Sequence, residues 1–357
     1  YKTTVDGEVT GGPIYYIKAA FKGTFGKILA GLFAVFIILA LGFMGNMVQS
    51  NSIGAAFSEV FTSRNINVPP VAVGIVLAVI AGVIFLGGTN RLAAVVEKIV
   101  PFMAGIYIIG SLVLILSNAT KIPDAFRMIF EGAFSPKAVL GAGAGITVRE
   151  AIRFGVARGL FSNEAGMGSA PNVAATAHVT HPVKQGLIQT LGVFTDTLII
   201  CTCTAFIILF SGAPLDGSTN GVQLTQQALT NEIGSAGSIF VAIALFFFAF
   251  SSILGNYYYG EANVRYLTRK KWILNIYRIL VGGMVLFGAL AALDVAWSLA
   301  DVTMGLMALC NLIAISLLGK YAFKLLEDYR AQKRAGIKDP VFTKDRLKEV
   351  ENDVECW

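Results

Sequence analysis

The run Gly155-Val-Ala-Arg-Gly-Leu-Phe-Ser-Asn-Glu-Ala-Gly-Met-Gly-Ser-Ala-Pro171 decides how this chain is read. Glycine recurs at 155, 159, 166 and 168, Ser162, Asn163 and Glu164 stand between, and Pro171 closes the run. A membrane helix needs about 20 mostly apolar residues, and none contains such a segment. One reading is an ordinary loop on the inner side of a membrane. The other is a broken helix, whose freed N–H and C=O groups must find partners. Backbone of that kind is tolerated at membrane depth only beside protein or a water-filled cavity. On the second reading, Gly159 and Gly166 flank the part that leaves helical geometry, since glycine alone carries no Cβ penalty there.

The surroundings of the run set its context. Of 357 residues, 55% are hydrophobic and 14% charged, against about 25% charged in soluble domains. Residues 320–357 hold 17 of the 50 charged residues, so the rest is more apolar still. Such a chain is not disordered, not a disulfide scaffold and not a nucleic-acid binder with a basic face. The four cysteines fit buried small side chains: Cys201-x-Cys203 has no second pair or histidine cluster to complete a metal site. What remains is an all-α polytopic membrane protein.

Apolar runs of spanning length occupy 27–47, 70–87, 99–117, 186–211, 237–260, 277–293 and 297–319. An eighth, 138–160, is apolar at first and then carries Arg149, Glu150, Arg153 and Arg158, so it must line protein or water. Between 118 and 137, Ile122, Ala125, Phe126, Ile129 and Phe130 recur at helical spacing beside charged residues, which predicts an amphipathic helix at the interface. Eight spans place both ends on one side. Setting 1–26, 88–98, 149–185, 264–278 and 320–357 inside leaves only Arg64, Lys121, Arg127 and Lys137 on the outer side, a strong positive-inside bias. The chain thus divides into a cytoplasmic segment 1–26, a transmembrane domain 27–319 and a solvated cytoplasmic tail 320–357.

Polar groups inside a bilayer are costly and tend to be functional. Besides the central run, Gly42-Phe-Met-Gly-Asn-Met-Val-Gln-Ser-Asn-Ser52 ends the first apolar span. It reads either as a helix running out into solvent or as a pore-lining surface. Gly141-Ala-Gly-Ala-Gly145 with Thr147 is a further flexible stretch, without the strand that a dinucleotide site requires. Ser251 and Ser252 lie mid-span. They either bond back one helical turn or offer hydroxyl oxygens to a hard cation such as Na⁺. Asp196, between Thr195 and Thr197, reads as a helix brace; Asp301 and Asn311 complete the set. His178 and His181 form no H-E-x-x-H helix, and no G-x-S-x-G or carboxylate pair appears, so the chain does not read as an enzyme.

The run Arg153–Pro171 closely resembles the signature of the alanine or glycine:cation (sodium) symporter family, the amino acid carrier proteins. So do Gly11-Gly-Pro-Ile-Tyr-Tyr16, Gly45-Asn-Met-Val-Gln-Ser-Asn-Ser52, Glu97-Lys-Ile-Val-Pro-Phe-Met103, His181-Pro-Val-Lys-Gln-Gly186 and Phe248-Ala-Phe-Ser-Ser-Ile-Leu-Gly255, so the likeness runs from Tyr1 to about Lys320. It implies a LeuT-type inverted-repeat scaffold, with amino acid and Na⁺ at broken helices near the midplane. The eight spans would be the third to tenth of ten core helices, the first two lying upstream of Tyr1. The resemblance further implies that 138–168 is the sixth core helix, with Gly143, Gly145, Thr147, Phe161, Ser162 and Asn163 facing substrate. Met44, Asn46 and Gln49 would line the same pocket from the third, and Ser251 and Ser252 of the eighth would ligate sodium. Asn256 stands where the family commonly has Trp, which replaces a bulky pocket wall with a smaller amide. The implied function is sodium-coupled symport of a small neutral amino acid across the plasma membrane, with Na⁺ as coupling ion and no cofactor. Proton coupling or a glutamine-type substrate are the alternatives within transporters. A non-transporting membrane receptor is the alternative outside them.

Overall fold

A computed structural model describes residues 1–5, 7–134, 144–215, 219, 221–353, 355 and 356. Strands β1 (Lys2–Val5) and β2 (Glu8–Gly11) pair as an antiparallel hairpin, with Lys2 opposite Gly11. The other described elements are helical. In chain order they are α1 (Pro13–Ala20), α2 (Thr24–Ile37), α3 (Asn46–Thr62), α4 (Pro70–Leu86), α5 (Gly88–Ser117), α6 (Ile122–Phe134), α7 (Ala144–Ser162) and α8 (Ala170–Ala174). Then follow α9 (Pro182–Phe194), α10 (Thr202–Phe210), α11 (Val222–Ile233), α12 (Ser235–Leu267), α13 (Lys271–Leu290) and α14 (Leu293–Arg334).

Among the described residues six helices are long and apolar enough to cross a membrane: Thr24–Thr62, Arg91–Ser117, Pro182–Phe210, Ser235–Leu267, Lys271–Leu290 and Leu293–Arg334. α4 is apolar but shorter, at 17 residues. The amphipathic helix expected at 118–137 is present as α6.

Two expectations are corrected. The polar run 42–52 does not end a helix. A π-helical stretch, Ile38–Gly45, joins α2 to α3 without interruption, and Asn46, Ser50 and Asn51 are buried inside the bundle. Their amides and hydroxyls find partners there: Ser50 Oγ donates to Val285 O at 2.5 Å, and Asn51 Nδ2 to Gly288 O at 3.0 Å and Ala291 O at 2.7 Å. Helices in lipid associate through small residues and such cross-helix bonds rather than through hydrophobicity. Gly159, too, lies within α7; helical geometry ends only after Ser162.

Two apolar clusters hold the molecule together. One joins α1, α2 and α14 around Phe33, Ile37 and Met307. The other joins α3, α4, α12 and α13 around Ile53, Leu77, Phe85, Ile253 and Val281. A buried polar knot pins the second. Glu261 on α12 is 2% exposed. It receives Arg265 Nη2 at 2.6 Å, Arg278 Nη2 at 3.3 Å and the Tyr257 hydroxyl. Arg278 and Glu261 tie α13 to α12, while the Tyr257 ring stacks on Phe85 of α4 at 3.8 Å. A carboxylate this deep persists because guanidinium and hydroxyl donors replace its hydration.

Candidate functional site

The segment between α7 and α8 leaves helical geometry. Glu164 (φ 49°), Gly166 (φ 72°) and Gly168 (φ 89°) all take left-handed backbone. At Gly168 an added Cβ would also lie 2.9 Å from Asn311 Cγ and 3.0 Å from the Phe33 ring, so conformation and space both demand glycine. Three carbonyls released by the break are met by side chains. Asn311 Nδ2 on α14 donates to Gly166 O at 2.9 Å, and Asn172 Nδ2 to Gly168 O at 3.0 Å and Ser169 O at 2.9 Å. Asn311 Oδ1 in turn accepts the Tyr16 hydroxyl at 2.5 Å. Glu164 accepts Ser169 Oγ at 2.7 Å and the Tyr259 hydroxyl at 3.4 Å. A break built in this way is fixed, not loose.

The break faces a cavity of about 1070 Å³. Leu41 and Gln49 line it from the π stretch and α3, and Phe161, Ser162 and Glu164 from the end of α7 and the break. Ser251, Ser252 and Asn256 line it from α12, and Asp196 from the segment after α9. That segment, Thr195–Cys201, is a second π-helical stretch, a local irregularity common at functional positions. It is tied to the break by two side-chain bonds, from Ser162 Oγ to the Asp196 carboxylate and from Thr197 Oγ1 to Asn163 Oδ1 at 2.8 Å. Asp196 is thus a brace between two irregular segments.

Gln49, Phe161, Ser162, Asn256, Ser251 and Ser252 come together around this cavity. Asn163 lines a smaller adjoining cavity of about 280 Å³ with Ser162 and Asp196. Both serine hydroxyls donate to Phe248 O, at 2.9 Å for Ser251 and 3.0 Å for Ser252. Each keeps lone pairs with which to accept or coordinate. Asn46 is fully buried: its Nδ2 donates to Gly42 O at 2.9 Å, and its Oδ1 takes no bond from the described residues. Met44 packs on the α2–α14 core. Gly145 and Thr147 stand in the first turn of α7, about 26 Å and about 22 Å along the helix axis from Ser162 at 1.5 Å per residue. They are not brought to the break, and Gly143 lies outside the described residues.

Sequence reasoning missed Glu164, Tyr16 and Tyr259 as parts of the site's support and gave Asn311 no partner. The Tyr16–Asn311 and Tyr259–Glu164 contacts join positions 295 and 95 residues apart in the chain, and no local pattern marks them. Behind Phe161, a two-rung ladder runs to α14. The Phe161 and Trp297 rings meet edge-on at 5.1 Å, and Arg158 Nη2 pairs with Asp301 Oδ2 at 2.5 Å while its guanidinium lies 3.9 Å over Trp297. The partners are three apart on α7 and four apart on α14, so each pair shares one helix face. Among the described residues no group of three His, Cys, Asp or Glu side chains is placed to hold a metal ion. The oxygens at the cavity are hydroxyl, amide, carboxylate and carbonyl groups, which suit a small polar ligand and a hard cation.

The model of the sodium:alanine symporter family matches residues 1–344. The chain is 46% identical over 357 residues to the amino-acid carrier protein AlsT of Bacillus subtilis, covering 100% of this chain and 73% of that protein. It is 46% identical to the probable sodium/glutamine symporter GlnT of the same organism, over 97% of this chain and 70% of the relative. To the sodium/alanine symporter AgcS of Methanococcus maripaludis it is 40% identical, over 89% of this chain and 69% of the relative. Extent and identity together settle the matter: the chain belongs to the sodium:alanine symporter family, a family of multi-pass membrane transporters.

Proposed function

We propose that this chain is the greater part of a carrier that couples Na⁺ entry to uptake of a small neutral amino acid, alanine or glycine first. The observation that carries the reading is the fixed helix break at 163–169, held by Asn311 and Asn172 and open to a cavity lined by Gln49, Ser162, Ser251, Ser252 and Asn256. Zwitterionic substrates need both donors and acceptors at depth, and the Gln49, Ser162 and Asn256 side chains at the cavity offer both. In this reading the helices belong to a LeuT-type scaffold of ten core helices, eight of them in this chain. The transmembrane domain is 27–319, and both 1–26 and 320–357 are cytoplasmic, as the positive-inside bias indicates.

Amino acid and Na⁺ bind together, and one helix group rocks against the other. Ser251 and Ser252 give hydroxyl oxygens to Na⁺ while still donating to Phe248 O. Coupling is reciprocal: the factor by which Na⁺ tightens amino-acid binding is the factor by which the amino acid tightens Na⁺. Asn256 supports a second substrate reading. It stands at the cavity wall at 6% exposure, and its amide can pair with the side-chain amide of glutamine.

The test is uptake by the full-length carrier in proteoliposomes. Labelled alanine should accumulate under an inward Na⁺ gradient and stop when K⁺ replaces Na⁺. Accumulation driven by a pH gradient in Na⁺-free buffer would refute sodium coupling. Competition by unlabelled glycine and glutamine ranks the substrates, and a carrier that glutamine blocks better than alanine or glycine is of the glutamine type.

A further inference from the structure

The end of the chain folds back on the bundle in a way transport itself does not require. α14 ends at Arg334, and Gly336 (φ 84°) turns the chain. Gln332, 6% exposed, fastens the returning strand by both amide atoms: Nε2 donates to Val341 O at 2.9 Å and Oε1 accepts Val341 N at 3.0 Å. The strand then binds the residues that lead into α9. Phe342 N donates to Thr180 O at 2.9 Å, Thr180 Oγ1 donates to Pro340 O at 2.9 Å, and Lys184 pairs with Asp339.

His181 lies beneath this strand and is fully buried. Its ring meets Tyr329 edge-on at 5.1 Å and Phe342 at 5.7 Å. Nε2 is 3.1 Å from the Asp328 carboxylate, which also receives Arg346 Nη1 at 2.8 Å and Gln332 Nε2 at 2.9 Å. Nδ1 accepts Val183 N at 3.2 Å and so caps α9. Backbone, ring, amide and ionic contacts thus converge on one histidine at the first turn of one helix.

α9 itself has no buried residue. Among the described residues it is tied near its ends: at His181 by the returning segment, and where it continues into the π stretch, whose Asp196 and Thr197 bond to Ser162 and Asn163 at the break. Its 13 residues make a rigid rod of about 20 Å between the two.

We infer that residues 336–347 are a strap that holds α9 to α14, so that α9 and the break it braces move only when the strap yields. The strap sets the rate of the conformational step and leaves the affinity of the cavity for amino acid and Na⁺ alone. The inference rests on the symport reading, since it names a rate within that cycle. His181, Gln332 and Phe342 are positioning residues: they act on the site through α9.

The experiment uses the full-length carrier. A double substitution, Lys184→Cys with Asp339→Cys, joins the strap to α9 when bridged by a short bifunctional methanethiosulfonate, with each single variant under the same reagent as control for the native cysteines. Gln332→Ala with Phe342→Ala loosens it. The locked form should take up alanine about fivefold more slowly at saturating Na⁺, a barrier change of ~1 kcal/mol, and regain its rate on reduction. The loosened form should exceed the wild-type maximal rate per molecule inserted, with half-saturating alanine and Na⁺ unchanged in both. Unchanged maximal rates in both forms, or a shift in affinity at constant rate, would overturn the inference. If the wild-type protein fails to accumulate alanine at all, the symport reading falls instead. Hydrogen exchange over 180–195 then decides the strap: loss of protection in the loosened form keeps the restraint, and unchanged protection removes it.

Discussion

Gly288 on α13 lies where two helices touch backbone to backbone. A Cβ built there would stand 2.4 Å from Met47 O, 2.7 Å from Met47 Cα and 2.9 Å from Met47 C on α3. No rotamer relieves that clash, because every opposing atom is main chain. Gly288→Ala must therefore push α3 and α13 apart. Overpacking costs about 1–3 kcal/mol where side chains can give way, and this site belongs at the upper end. Separation also stretches the bonds from Ser50 to Val285 O and from Asn51 to Gly288 O and Ala291 O. Cross-helix bonds in membrane proteins average about 0.6 kcal/mol each. The expected loss is roughly 3–5 kcal/mol in total, about 3 from overpacking and up to about 2 from the three bonds. Gly282 on the same helix is the control, since nothing lies within 4 Å of an added Cβ there. Gly282→Ala should be neutral or stabilising by up to about 1 kcal/mol, the difference in helix propensity. The assay is the thermal unfolding midpoint of the detergent-solubilised carrier, followed by tryptophan fluorescence, with Na⁺-dependent uptake beside it. Equal midpoints for the two variants would mean that α3 and α13 do not meet as closely as described, and the argument for the placement of Asn46 and Gln49 would go with them.

Gly166→Val should abolish uptake while the protein still inserts, because φ 72° excludes a β-branched residue and an added Cβ meets Leu312 at 2.8 Å. Gly159→Ala, in open space within α7, should retain uptake; the reverse order would contradict the position of the break. Ser251→Ala and Ser252→Ala should each raise the Na⁺ concentration for half-maximal uptake about tenfold or more, from loss of a charge-assisted contact of about 1.5–3 kcal/mol. Apparent alanine affinity at saturating Na⁺ should move far less, and an unmoved sodium dependence in both would leave the hydroxyls as packing against Phe248 O. Burial holds the His181 imidazole below its ordinary value, against the upward pull of Asp328. The folded strap therefore prefers neutral His181, and its stability is full above the ordinary imidazole pKa of about 6.5 and falls as pH drops below it. Exchange protection of residues 336–347 should decline between pH ~7.5 and ~5.5 in the wild type. It should stay flat in His181→Gln.

The sequence by itself determined the class of molecule, the composition and length of the apolar runs, and the existence of a break within 155–171. It did so because lipid imposes one-dimensional rules: about 20 apolar residues per span, polar interruptions only where something answers them. The run of small and polar residues and its motif carried the family for the same reason; they are contiguous in the chain. Boundaries within it were less legible. Gly159 has the composition of a break but helical geometry, since a glycine in open space costs a helix only about 1 kcal/mol and does not end it. The run 42–52 looked like a helix leaving the membrane; its Ser50 hydroxyl and Asn51 amide instead answer carbonyls on α13, more than 230 positions away in the chain. Tertiary structure alone decided which side chains close the break. Asn311, Tyr16 and Tyr259 meet it from α14, α1 and α12, and no spacing in the chain announces a partner 145 or 295 residues distant. Gly145 and Thr147, at the far end of the same helix, are carried away from the site by the rigid rise of α7. His181 shows the limit most plainly. Beside Pro182 it reads as one more loop residue, and only the return of residues 336–347 over it makes it the most enclosed titratable group at that end of the fold. Local rules fix what a segment can be; which distant groups satisfy it depends on how the helices pack.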